Sequence, residues 1–298
     1  MQFKTLTLAT TSLVALGLAV GSASAGNEYA GKFSFSVGNA WENYGQDGGE
    51  SDFDLQYPTL QGSGSVNVPY GQFVNFQFDV NGAASLDDVA GSGPWNASFF
   101  GGFSADARVY YRDPSFGALG VYFAAGRVNV GSTSSSDFAA WEFGIEGEHY
   151  CGNWTLRARA GYLDSDYHGW ILQEAGRINF EALYYAGKNL RLSAGLRYAD
   201  GDVRTGGNPS SFVDSTQWQW SVGLQYKFGK TIPAILEVQY LGQNVETHYS
   251  SEADMLRNAL NVGLTFPFGG SNDDIKDMDR EGVGYNPIEI LIAPRVSF

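Results

Sequence analysis

Three carboxylates and two guanidinium groups face each other across one short turn. Glu142, Glu146 and Glu148 precede Cys151-Gly152-Asn153, and Arg157 and Arg159 follow it. The acids alternate with Trp141, Phe143 and Ile145, and the bases alternate with Trp154, Leu156, Ala158, Ala160 and Tyr162. Alternation with a period of two on both sides of a turn predicts a β-hairpin, so the acids and bases share one face. Groups placed this way can do one of two things. Held apart, they set a field across whatever passes between them; in contact, they neutralise each other as ion pairs.

Covalent chemistry has little support. The histidines are His149, His168 and His248. His149 falls on the apolar parity at the turn end of its strand. His168 follows Ser165 and Asp166 in a polar loop, and a solvated loop explains that spacing better than a nucleophile with its base. Asp47, Glu50, Asp52 and Asp54 could bridge lipid phosphates through a divalent cation, but no Asp-x-Asp-x-Asp-Gly spacing is present. We expect no catalytic residues, no metal and no cofactor.

Each arm of the hairpin is near 11 residues, about twice an ordinary strand and the length at which a tilted strand crosses a bilayer. The same alternation recurs at about 31–42, 59–68, 72–81, 98–111, 118–128, 175–186, 190–198, 216–228, 234–243 and 259–268, which with the hairpin makes twelve strands. The stretch 216–228 is the clearest: Trp218, Trp220, Val222, Leu224, Tyr226 and Phe228 alternate with Gln217, Gln219, Ser221, Gly223, Gln225 and Lys227. Connections alternate between short turns and longer loops rich in Gly, Ser and Asp. Only 17% of residues are charged while 15% are aromatic, which disfavours an α-rich soluble domain. A lone cysteine allows no internal disulfide.

The basic start MQFK, an apolar run over residues 6–20 and the Ala-x-Ala of residues 23–25 describe a secretory signal peptide, residues 1–25. The barrel is expected over 26–268 and a polar tail over 269–298, periplasmic or folded into the lumen. Ile288 to Phe298 is a weaker closing strand than the one ending at Phe268, because Pro287 and Pro294 cannot donate to a ladder. The alternative count is fourteen. A formal net charge of −14 excludes a nucleic-acid partner.

By this pattern, over residues 31–268, the chain resembles the Gram-negative outer-membrane β-barrels, specifically small porin-like members. The expected fold is all-β, an antiparallel transmembrane up-and-down barrel. The resemblance implies a bacterial outer-membrane location, with lipid, lipopolysaccharide and the barrel-assembly machinery as partners and small hydrophilic solutes as cargo. Monomer and oligomer both fit. With the apolar faces outward, Arg108, Arg157, Arg159, Arg177, Arg191 and Arg197 point inward, as do Asp106, Glu142, Glu146 and Glu148. Lys32, Lys227, Glu42, Asp79, Glu181 and Glu237 join them, leaving the lumen near neutrality. The expected function is a channel for passive diffusion. The competing reading is a closed barrel that binds a surface partner through its loops.

Overall fold

The computed structural model describes residues 29–46, 53–86, 89–90, 96–97, 99–131, 136–165, 172–204, 212–229, 234–247, 253–269 and 274–280. Twelve strands form one antiparallel sheet: β1 (Ala30–Gln46), β2 (Phe53–Tyr70), β3 (Val74–Ser85), β4 (Phe99–Asp113), β5 (Gly117–Gly131) and β6 (Ser136–Cys151). They continue as β7 (Trp154–Ser165), β8 (Leu172–Tyr185), β9 (Leu190–Arg204), β10 (Phe212–Lys227), β11 (Ile235–Thr247) and β12 (Ala253–Gly269). Each strand pairs with its neighbours in sequence, and β12 pairs with β1 from Ala30↔Gly269 to Gln46↔Ala253. The sheet closes with twelve strands, not fourteen. Closure leaves no backbone edge, the condition for a sheet in hydrocarbon. A short ribbon of Val89–Ala90 and Asn96–Ala97 lies between β3 and β4. After β12 comes one turn of helix, α1 (Ile275–Met278).

Burial is inverted relative to a water-soluble barrel. The inward positions are buried and polar, among them Gln77 (0% exposed), Thr155, Ser215 and Arg108 (1%). The outward positions are exposed and apolar, such as Ile145 (59%), Phe180 (58%), Val121 (57%) and Val222 (53%). Water cannot be the solvent for that outer face.

Aromatic rings collect in two rows at the limits of the apolar band. Near the short turns, Phe73 stacks on Tyr111 with centroids 5.2 Å apart, and Trp154 meets Tyr184 at 4.7 Å. Toward the long loops, Trp141 meets Tyr162 at 5.9 Å, Tyr198 meets Trp218 at 4.5 Å, and Trp41 meets Tyr240 at 6.3 Å. On single strands the rows lie eight residues apart, Trp154 to Tyr162 on β7 and Trp218 to Tyr226 on β10. At about 3.4 Å per residue and a tilt of about 40°, that separates them by roughly 20 Å, near the apolar band of an outer-membrane barrel.

The strands outrun the expected ranges mainly at the long-loop end; β2 starts at Phe53 and β12 at Ala253. There the alternation fades in the sequence while the backbone pairing continues. The signal segment, Asp47, Glu50, Asp52, Asp166, His168, His248 and residues 281–298 lie outside the described residues.

Candidate functional site in the lumen

All ten inward residues singled out above line the interior, and the register decides which of them meet. In the β6–β7 hairpin Glu146 is directly opposite Arg159, and Glu148 directly opposite Arg157. Arg157 is in turn opposite Glu181 on β8. Its Nε donates to Glu148 Oε1 at 2.8 Å and its Nη1 to Glu181 Oε2 at 2.9 Å. One arginine is thus held between carboxylates on both flanking strands. Arg177 donates to Glu142 Oε2 at 2.6 Å from two strands away.

Arg108 joins the other half of the network. Asp79 and Asp106 are opposite each other on β3 and β4. Arg108 Nη2 lies 2.8 Å from Asp106 and 3.4 Å from Asp79, and its Nε is 3.8 Å from Glu146. Arg159 approaches the same acids, 3.7 Å from Asp106 and 3.8 Å from Glu146. Acid and base therefore interleave across β3–β8 and pair.

Tyrosines complete the network, and the sequence reading did not single them out. Tyr122 donates to Glu142, and the Arg159 guanidinium lies 3.4 Å from the centre of its ring. Room for that ring comes from Gly144 and Gly161, which pair across β6 and β7. A Cβ on Gly144 would sit 2.1 Å from Ala160 O, and one on Gly161 2.1 Å from the Tyr122 hydroxyl. Tyr150 donates to Glu148, Tyr110 to Asn67, and Tyr57 to Glu42, which also pairs with Arg257 at 3.2 Å. These rings follow the inward parity of their strands, which is the signal that could have found them.

Over β9–β12 the wall carries more amides: Gln217, Gln219, Gln225, Gln243 and Asn261 are buried there, with Ser221, Ser193 and Gly195 between them, alongside the charged Arg191, Arg197, Lys227 and Arg257. A small cavity, open to solvent, lies where the halves meet. Arg157, Arg159, Arg197 and Glu181 border it on one side, and Gln219, Ser221 and Gln239 on the other. Arg197 Nη1 donates to Gln219 Oε1 at 3.3 Å.

At the short-turn mouth the tail returns into the lumen. Arg191 Nη1 donates to Asp279 Oδ2 at 2.6 Å, and the Tyr185 hydroxyl donates to the same oxygen at 3.1 Å. Burial alone would raise the Asp279 carboxyl, but Arg191, Arg157 and Lys32 outweigh it and hold the group below the usual carboxylate range. Leu183 and Ile235 occupy inward positions and pack on Ile275. Two apolar residues at polar parity were the visible sign of this socket.

Outside the lumen, His149 is exposed at the short-turn rim, edge-on to Phe116 at 5.2 Å, and Cys151 is a free, exposed thiol beside it. Among the described residues no cluster of His, Cys, Asp and Glu could hold a metal ion.

No family model and no curated protein matches the chain. Among solved structures it is similar in fold to an outer-membrane channel from Pseudomonas putida F1. The two are 10% identical, covering 82% of this chain and 97% of that one, with a TM-score of 0.59. Looser likenesses are the translocator domain of the autotransporter NalP from Neisseria meningitidis (14% identity, 88% and 97% covered, TM-score 0.47) and the KdgM porin (13%, 78% and 99%, 0.42). A closed twelve-strand antiparallel sheet with an apolar exterior, a polar interior and two aromatic girdles gives this chain the architecture of an outer-membrane β-barrel.

Proposed function

We propose that this barrel is a channel for the passive diffusion of small hydrophilic solutes across the outer membrane. The observation that carries the reading is the cavity between the arginine-bearing wall of β7–β9 and the amide wall of β10–β11. Its walls offer fixed charge and neutral hydrogen-bonding groups, a lining suited to a hydrated polar solute. No catalytic step belongs to this reading. Lipid, lipopolysaccharide and the assembly machinery are its expected surroundings.

Single-channel recording in planar bilayers tests it. Step openings are expected from the purified protein, and their absence would reject the channel. Arg197 borders the cavity and donates across it to Gln219, so it probes the path directly. An Arg197→Glu variant should move the reversal potential toward cations. The buried network of β3–β8 favours a second reading, a closed barrel that works through its loops. Unchanged selectivity together with lost thermal stability in the Arg197 variant would support it.

A further inference from the structure

The chain carries a carboxylate of its own into the short-turn mouth, and the way it is held there describes a binding site. Asp274 caps α1 by accepting from Lys276 N at 2.8 Å, and Ile275 N donates to Lys188 O in the β8–β9 turn at 2.9 Å. The Ile275 side chain is buried against Leu183, Tyr185 and Ile235. Arg280 donates to Gly152 O at 2.9 Å and Trp154 O at 2.7 Å, with its guanidinium 4.8 Å from the Tyr150 ring centre. Between these two anchors Asp279 is buried and meets Arg191 and Tyr185.

A plug needs no charge at its tip. Burying an ion pair costs desolvation that an apolar contact avoids, and Ile275 already supplies the apolar contact. The described tail adds no strand to the barrel, so its departure would leave every ladder hydrogen bond intact. What would remain is a guanidinium and a phenol hydroxyl converging on one oxygen position, in a field to which Lys32 and Arg157 add.

We propose that Arg191 and Tyr185 form a carboxylate-binding subsite in the short-turn mouth, filled in the resting protein by Asp279 and taken by a small carboxylate-bearing solute when residues 274–280 swing out. This rests on the channel reading for the solute's route, but not for the site itself. The tail is then both plug and stand-in ligand, and a carboxylate solute promotes its own passage by competing with Asp279.

Full-length protein in planar bilayers, with succinate as the probe, gives the first arm. The isosteric Asp279→Asn variant should conduct severalfold more than the parent, favour anions, and show KCl current reduced by succinate. Adding Arg191→Gln to it should abolish both the anion preference and the succinate effect. The second arm does not depend on conduction. In a Cys151→Ser background, Met278→Cys should be slow to react with a water-soluble maleimide. Succinate should accelerate that reaction, whereas an equal ionic strength of KCl should not, and Arg191→Gln should remove the difference. If no variant passes step currents but succinate still exposes Met278→Cys, the channel reading fails and the subsite stands. If succinate changes neither current nor labelling while the parent conducts, the channel stands and the subsite is refuted.

Discussion

Replacing Arg108 by methionine removes the cation shared by three buried carboxylates while keeping a chain of similar length. The side chains of Arg108, Asp79 and Asp106 are fully enclosed, and that of Glu146 nearly so. Asp79 and Asp106 are directly opposed in register, where like charges repel. After the substitution, Arg159 is left 3.7 Å from Asp106 and 3.8 Å from Glu146, too distant to replace the 2.8 Å contact Arg108 made. Removing one member of a buried ion pair costs about 3–5 kcal/mol. The variant can limit that cost by protonating one carboxyl. For a group with an ordinary pKa near 4, this costs about 4 kcal/mol at pH 7 and about 1.4 kcal/mol at pH 5, at 1.36 kcal/mol per pH unit. We expect a loss of roughly 3–4 kcal/mol at pH 7 that shrinks to about 1.5 kcal/mol at pH 5. Adding Asp106→Asn should recover part of the pH 7 loss. Urea unfolding in lipid vesicles, followed by tryptophan fluorescence and by the heat-modifiable gel band, measures each difference against wild type at the same pH. A loss under about 1 kcal/mol at pH 7, or one equal at both pH values, would show that water rather than Arg108 solvates these acids, and the pairing argument would fall.

On β6, Gly144→Val should prevent assembly of the heat-modifiable barrel, because a Cβ there would sit 2.1 Å from Ala160 O. Gly147→Val, on the opposite face with its nearest neighbour at 3.4 Å, should assemble normally; equal outcomes would contradict the face assignment. Val222→Arg places a charge mid-band on the outer face and should cost about 2–4 kcal/mol in bilayers, whereas a cost near zero would mean that this face is not in lipid. The Asp279 latch has a pH signature of definite sign. Its carboxyl is held below the ordinary value when seated, so its contribution is complete above about pH 4 and is lost as the pH falls through the lower, seated value. Maleimide labelling of Met278→Cys should therefore stay slow from pH 7 to about 5. Release within that range would sink the assignment.

The hairpin announced the barrel because its alternation repeats wherever lipid bounds one face and the lumen the other. That constraint is periodic, and a periodic constraint is written into the sequence. Pairing inside the lumen is set by something else. Both Arg157 and Arg159 could have met Glu146 on spacing alone; the register puts Glu148 opposite Arg157 and Glu146 opposite Arg159. Arg177 reaching Glu142, and Arg108 collecting acids from β3, β4 and β6, depend on shear and side-chain reach across several strands, which leave no local pattern. Asp279 lies still further from any sequence signal. Its partner Arg191 is on β9, and only the inward Leu183 and Ile235 hinted that something apolar would dock nearby.

Twelve strands at a spacing near 4.8 Å and a tilt of about 40° give a backbone radius of about 12 Å, wider than a barrel that ordinary side chains fill and narrower than an open porin. The composition of the two halves then decides the lumen. Arginine, glutamate and tyrosine from β3–β8 reach inward and lock to one another, closing their half. From β9 to β10 the inward residues include Ser193, Gly195, Ser221 and Gly223, too short to meet them, and the cavity opens there. The ion-pair network and the cavity are thus complementary parts of one interior. Charges fixed by pairing cannot collapse into the gap, so the network keeps the cavity open on its arginine side. Loss of Arg108 should accordingly destabilise the barrel without enlarging the cavity, while loss of Arg197, which borders the cavity, should change selectivity.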